Sequence, residues 1–148
     1  RSPMAAKMRG KPFREQSRPD WDDVRVTIMR WCLRVKLVQN FSRFSGVLVE
    51  TGHGPIVEES RRDRYWGAVV VGDDRLEGHN VLGRLLMELR EEVRRVEDQT
   101  RPLTLEPPGL STFLLLGEPI GTIVEPEAAM PNAPEEFIAE RPTQHRLF

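Results

Sequence analysis

The chain has 148 residues, 39% of them hydrophobic and 30% charged, with a formal net charge of −1. That length suits one domain with a buried core, and the near-zero charge excludes a global basic field for gathering nucleic acid, so any polyanion contact needs a local patch. A single cysteine, Cys32, excludes an internal disulfide framework and suits a reducing compartment. With no signal peptide, and apolar runs such as Phe113 to Leu116 far too short to span a bilayer, a cytoplasmic protein without membrane contact is expected.

The first quarter is basic. Arg1, Lys7, Arg9, Lys11, Arg14, Arg18, Arg25, Arg30, Arg34 and Lys36 are opposed there only by Glu15, Asp20, Asp22 and Asp23. Ser2-Pro3 opens a short helix through Met8, with Ser2 as its cap, and a linker runs on to Pro19. A long helix from an Asp20 cap to about Gln39 comes next, with Asp22 and Asp23 in its first turn, where the helix dipole favours acids. Its apolar face carries Trp21, Val24, Ile28, Trp31, Cys32, Val35 and Val38, so Cys32 is expected to be a buried structural thiol. Phe41, Phe44, Val47 and Leu48 make a second helical segment, stopped by Thr51-Gly52-His53-Gly54-Pro55.

Residues 56–67 are the densest in chemistry. Ile56-Val57-Glu58 alternates like a strand, and the acids Glu58, Glu59 and Asp63 precede Tyr65-Trp66-Gly67. A carboxylate beside a flat aromatic surface is what a nucleobase or ribosyl pocket needs; a solvated loop anchored by two aromatics is the competing reading. Ala68 to Val71 is a short apolar run and Gly72-Asp73-Asp74 a turn. Asn80 then caps a helix whose face is Val81, Leu82, Leu85, Leu86, Leu89, Val93 and Val96, with Glu88 and Glu92 paired to Arg84 and Arg95. Gly83 inside that helix costs ~1 kcal/mol relative to Ala, so close packing or ligand approach is expected to require it.

Eight prolines from Pro102 onward forbid long helices. Thr112 to Leu116 and Gly121 to Val124 are expected to be strands joined around Gly117-Glu118-Pro119, and Pro134 to Phe148 a loosely attached tail. The fold class that follows is α+β: a mainly helical unit over residues 1–97, then a Pro-rich extension over 98–148 with a short β-hairpin.

Metal chemistry lacks ligands, since His53, His79 and His145 have no chelating spacing and one cysteine makes no zinc knuckle. No cofactor is implied either. Gly78-His79-Asn80-Val81-Leu82-Gly83 opens a helix whose N–H groups can receive an anion, but it has neither P-loop nor dinucleotide spacing. Carboxylates beside aromatics remain. Cleaving an N-ribosyl bond needs an acid to activate water or stabilise an oxocarbenium-like centre, and a platform for the base. Glu58, Glu59 and Asp63 are candidates for the first role; Trp21, Tyr65 and Trp66 for the second. Trp21 has a core position on its helix as its alternative.

Ser2-Pro3-Met4-x-Ala6, Arg18-x-Asp20-Trp21, Lys36-x-x-Gln39-Asn40, Thr51-Gly52, Ile56-Val57-Glu58-x-Ser60-x-x-Asp63-x-x-Trp66-Gly67 and Gly78-x-Asn80-x-Leu82-Gly83-x-Leu85-Leu86-Met87-x-Leu89-Arg90 together resemble the NADAR (YbiA-like) family over about residues 1–96. The resemblance implies a small α+β N-glycosidase. Two activities are associated with the family: hydrolysis of phosphoribosylamino-pyrimidine intermediates of riboflavin synthesis, and removal of ADP-ribose from guanine as antitoxin to a DNA-modifying ADP-ribosyltransferase toxin. It further implies Asp63 and Trp21 as the catalytic pair, with Trp21 at the base or ribose. Trp66, Gly67 and Asn80 are pocket positions, Glu58 is a further substrate contact, and Arg18, Lys36 and Gln39 are supports or phosphate contacts.

Two departures from the family pattern shape the expectation. The family's N-terminal Trp-Pro-Thr-x-Glu-His-Tyr-type block, with its catalytic Glu, is not found at or after Arg1. It is expected on a preceding segment or on a second chain; otherwise this chain is a binding module for ADP-ribose or the toxin, without catalysis. A chain lacking the block should expose apolar helix faces and self-associate. Ala68 after Trp66-Gly67, the longer Val69–Glu77 loop and the Leu114–Ile120 segment look more like the toxin-associated branch. ADP-ribosylated guanine, free or in DNA, is therefore the expected partner, approached by the basic first quarter.

Overall fold

The computed structural model describes residues 3–73, 75–95, 103–115 and 117–126. Among them are four α-helices: α1 (Pro3–Gly10), α2 (Trp21–Gln39), α3 (Phe41–Glu50) and α4 (Val81–Arg95). Short strands pair antiparallel in twos, β1 (Val69–Val71) with β2 (Arg75–Glu77), β3 (Thr104–Leu105) with β6 (Ile123–Val124), and β4 (Leu114–Leu115) with β5 (Glu118–Pro119). The chain is α+β and mainly helical, as its periodicity implies.

The core lies where α2, α3 and α4 meet. Phe44, Leu48 and Leu89 are buried together, flanked by Leu33, Leu37, Leu86 and Val93. Spacings of three and four residues place these side chains on one face of each helix, and burying those faces against one another is the main favourable term. At the rim, Arg30 donates to Glu88 at 3.1 Å and Arg34 to Glu92 at 2.6 Å. This corrects the expected pairing of Glu88 and Glu92 with Arg84 and Arg95. Both acids lie one turn apart on the side of α4 turned to α2, where two arginines one turn apart meet them. The Arg34→Ala/Glu92→Ala double-mutant cycle should give a coupling of about 0.2–1 kcal/mol that shrinks with added salt; a salt-independent or zero coupling would contradict this pairing.

Arg90 is buried, and Nη1 donates to the Thr51 hydroxyl and the Gly54 carbonyl, each at 2.8 Å. Arg94 donates to the Gly52 carbonyl. The Gly-rich turn that stops α3 is thus fastened to the last turns of α4, through donors the helix periodicity does not announce.

Several local expectations need correction. The linker after α1 contains a 3-10 turn over Lys11–Gln16. Asp20 occupies the position before α2 but makes no side-chain cap. Arg18, two residues earlier, takes both carboxylate oxygens, with Nη2 at 2.8 Å from Oδ2. A bidentate guanidinium is the stronger partner for a carboxylate than one helix N–H. Cys32 is exposed, not buried, although packing around it raises the thiol pKa by desolvation. Ile56–Glu58 is not a ladder strand; the segment makes one isolated parallel bridge, Glu59 to Ala68. The Val69–Val71 run has a partner, Arg75–Glu77, that the sequence did not signal.

The extension pairs differently from expectation. Leu114–Leu115 turns back on Glu118–Pro119, the expected connector, and Ile123–Val124 pairs with Thr104–Leu105. Trp31 anchors the whole piece to α2, its indole N–H donating to the Glu106 carbonyl at 2.9 Å and its ring meeting Phe113 edge-on at 5.2 Å. The Ser2 cap, the helical position of Val96 and the Pro134–Phe148 tail lie outside the described residues.

Candidate functional site

The acidic-aromatic segment is held by the start of α4. Asn80 has positive φ (48°) and stands directly before α4, its carbonyl accepting the Arg84 N–H at 3.0 Å. Its amide reaches back to the 56–58 segment, donating to the Ile56 carbonyl at 2.8 Å and accepting the Glu58 N–H at 3.0 Å. The first N–H groups of the helix are also taken: Val81 donates to the Tyr65 carbonyl and Leu82 to that of Trp66. The anion-receiving reading of Gly78–Gly83 therefore fails at those two groups, because the chain's own backbone already fills them.

Gly67 and Gly83 make this approach possible. A Cβ on Gly67 would collide with the Glu58 carbonyl oxygen, and one on Gly83 with the Ile56 carbonyl oxygen and the Asn80 amide. The expectation that Gly83 serves close packing holds, and the neighbour is backbone.

Asp63 shapes the turn before the aromatic pair. Its Oδ1 accepts the backbone N–H groups of Tyr65 and Trp66, each at 2.9 Å, while its own N–H donates to the Ser60 hydroxyl at 3.0 Å. Oδ2 has no hydrogen-bond partner among the described residues, and Asp63 is exposed. Tyr65 and Trp66 meet edge to face at 5.2 Å, and the Tyr65 ring lies 6.1 Å from that of His79. Glu58 is exposed, with its backbone carbonyl accepting the Ala68 N–H at 2.9 Å.

Trp21 stands elsewhere, at the start of α2. It is 41% exposed and lines an open groove of about 380 Å³ with Arg18 and Ile28 on one side and Thr112, Phe113 and Leu114 on the other. Arg18 ties the two sides, since the guanidinium that grips Asp20 also donates to the Ser111 carbonyl at 3.2 Å. The hydrogen bond from Arg18, and secondarily its charge, holds the Asp20 carboxyl below its ordinary range. Asp20 with a depressed folded pKa favours the folded form above the ordinary aspartate range, and that contribution fades as pH falls through the folded value.

Glu58, Asp63, Trp66, Gly67 and Asn80 do not line this groove. The bridge between the two places is Arg25, which sequence reasoning did not single out. It sits one turn after Trp21, its guanidinium lies 3.7 Å from the centre of the Tyr65 ring, and it pairs with Asp22 at 3.0 Å. Its spacing of four from Trp21 was the available signal.

Lys36 is fifteen residues further along α2, about 22 Å at 1.5 Å per residue, too far to contact a single base held at Trp21. Its ammonium lies over the Phe44 ring at 4.2 Å, in a groove shared with Asn40 and Arg43. The basic excess of the first quarter is also largely neutralised at and along α2, where Arg18 just before the helix and Arg25, Arg30 and Arg34 on it all have acidic partners. Lys7, Arg9, Lys11 and Arg14 remain exposed before it. Among the described residues no group of three or more His, Cys, Asp or Glu side chains is arranged for a metal, and no helix is long and apolar enough to cross a membrane.

The chain is similar to several curated proteins. It is 38% identical over 84 residues to a riboflavin biosynthesis protein of Vibrio vulnificus, covering 57% of this chain and 22% of that one. It is 37% identical over 92 residues to the N-glycosidase YbiA of Escherichia coli, covering 62% of this chain and 54% of that one. A chloroplastic riboflavin biosynthesis protein of Zea mays is 35% identical over 85 residues, covering 57% of this chain and 13% of that one. The chain thus spans about half the length, or less, of the curated relatives it matches. No solved structure matches significantly. The NADAR domain model matches residues 1–94, which takes in α1 through α4 and the Asn80–Asp63 framework, and by that match the chain belongs to the NADAR family.

Proposed function

We propose that this chain belongs to an N-glycosyl hydrolase that releases ADP-ribose from guanine, in DNA or as a nucleotide, as antitoxin to an ADP-ribosylating toxin. The observation that carries the reading is the Arg25 contact. It brings the loop of Asp63, Tyr65 and Trp66 beside the helix turn that bears the exposed Trp21. In the reaction, the bond between ribose C1 and the base nitrogen breaks, water supplies hydroxide to C1, and its proton reaches the departing base. Asp63 Oδ2, without a partner among the described residues, is the acceptor for that water, and Trp21 is the platform for the base. A groove near 380 Å³ lies at the small end of ligand sites, ~300–1,000 Å³. It takes one base and part of its sugar, so a base in DNA would have to leave the stack.

A second reading, hydrolysis of a phosphoribosylamino-pyrimidine of riboflavin synthesis, is favoured by the names of the Vibrio and Zea relatives. A small substrate with a terminal phosphate calls for a closed anion pocket. The open groove and the occupied start of α4 favour the larger substrate instead. Measuring hydrolysis of an ADP-ribosylated oligonucleotide against the phosphoribosylated pyrimidine decides between them. Turnover of the first alone is expected, turnover of the second alone reverses the order, and turnover of neither removes both. Binding of the ADP-ribosylated oligonucleotide without turnover would leave a sequestering module.

A further inference from the structure

The family match ends at residue 94, yet three of the seven residues lining the Trp21 groove come from beyond it. Thr112, Phe113 and Leu114 line the opening together with Ser17, Arg18, Trp21 and Ile28. That far wall is held at three points. Trp31 meets the Phe113 ring edge-on, the Trp31 indole donates to the Glu106 carbonyl, and Arg18 donates to the Ser111 carbonyl. Thr112 adopts a positive φ of 54°, which a β-branched residue adopts only where its surroundings impose it. Two large apolar side chains nonetheless stay open on either side of the gap, Trp21 at 41% and Leu114 at 50% exposed. A wall anchored this well, with its apolar face left uncovered opposite an indole, has the form of a slot for a flat ring.

We propose that the Ser111–Leu114 loop is the specificity-determining wall of the site. The planar base of the N-ribosyl substrate lies between the Trp21 indole and the Leu114 side chain. This rests on the N-glycosidase reading above and extends it, because it assigns base selection to the extension and not to the family-matched domain. Phe113 is a positioning residue here; it sets the loop through Trp31, and Leu114 meets the ligand. The chemistry fits a base better than a phosphate, since the wall offers apolar carbon and the Arg18 guanidinium at its mouth is already held by Asp20.

The test uses the full chain and the indole N–H signals of Trp21, Trp31 and Trp66 in NMR, titrated with ADP-ribosylated guanosine and, separately, with ADP-ribose lacking the base. The Trp21 signal should shift and saturate with the first probe and respond at least tenfold more weakly to the second. Leu114→Glu, at a half-exposed position that tolerates charge, should weaken binding about tenfold or more. Val49→Glu, equally open on α3, should leave binding unchanged. Equal affinity of Leu114→Glu and the parent overturns the proposal, as does an unmoved Trp21 signal or an equal loss in Val49→Glu. Hydrolysis measured on the same samples separates the two layers. Turnover with Trp21 unmoved removes only the wall, whereas a saturating Trp21 shift without turnover removes only the hydrolase reading.

Discussion

Asp63→Asn is expected to lower kcat for N-ribosyl hydrolysis by about 10²–10⁴-fold, the usual weight of a side chain that takes a proton in the transition state. That corresponds to ~3–5 kcal/mol of barrier. Asparagine is the informative replacement because Asp63 has two separable jobs. Oδ1 holds the Tyr65 and Trp66 N–H groups, and an asparagine carbonyl still accepts both. Only the second oxygen, the one with no partner among the described residues, changes from an acceptor to an NH₂ donor. The turn should therefore persist, with unchanged thermal unfolding, while the rate falls. Asp63→Ala removes both jobs and should lose stability as well as rate. An Asp63→Asn chain with the parent's kcat would move the catalytic acid elsewhere, with Glu58 and Glu59 the next carboxylates in the loop.

Gly83→Ala should destabilise the protein by about 1–3 kcal/mol, the usual cost of forcing an extra methyl into a packed contact. The sign is the point of interest, because alanine in a helix interior ordinarily gains ~1 kcal/mol over glycine. Here the new methyl meets the Ile56 carbonyl oxygen and the Asn80 amide. Neither can yield without loosening the two Asn80 hydrogen bonds that fix residues 56–58. Gly46→Ala is the matched control. Gly46 lies within α3 with open space where its Cβ would project, so the same substitution there should stabilise by roughly 0.5–1 kcal/mol. Denaturant midpoints of the two variants should therefore move in opposite directions. Two shifts of the same sign would show that the α4–loop contact is not the tight one described. Because Asn80 and Asp63 hold opposite ends of one segment, Gly83→Ala should also reduce activity beyond its effect on the folded population.

Much of the helical frame was legible in the chain. The apolar spacing along α2 and α4 and the stop at Thr51–Pro55 located the helices that build the core, with α2 ending at Gln39 as expected. The motif residues Asp63, Trp66, Gly67 and Asn80 did fall into one neighbourhood, but for reasons their spacing does not state. Asn80 stands at the capping position of α4 as expected, yet its side chain staples a segment 24 residues away. Glu88 and Glu92 looked like partners within their own helix, and they meet Arg30 and Arg34 on another. Trp21 and Lys36 looked like parts of one site, and a single helix holds them far apart. The spacing of Arg25 from Trp21 put it on the same helix face, but its stacking partner, the Tyr65 ring, is 40 residues away in the chain.

Periodicity and turn chemistry act over a few residues, so the linear chain determined where helices begin, which faces turn inward and which acids accompany which aromatics. The partner of each polar side chain was decided only in three dimensions. A hydrogen bond or ion pair forms with whatever donor or acceptor packing delivers, and burial then makes the unmade alternative costly. The groove is the clearest instance: one wall is written at residues 18–28, the other at 112–114, and only the docking of the extension on Trp31 and Arg18 brings them to one opening.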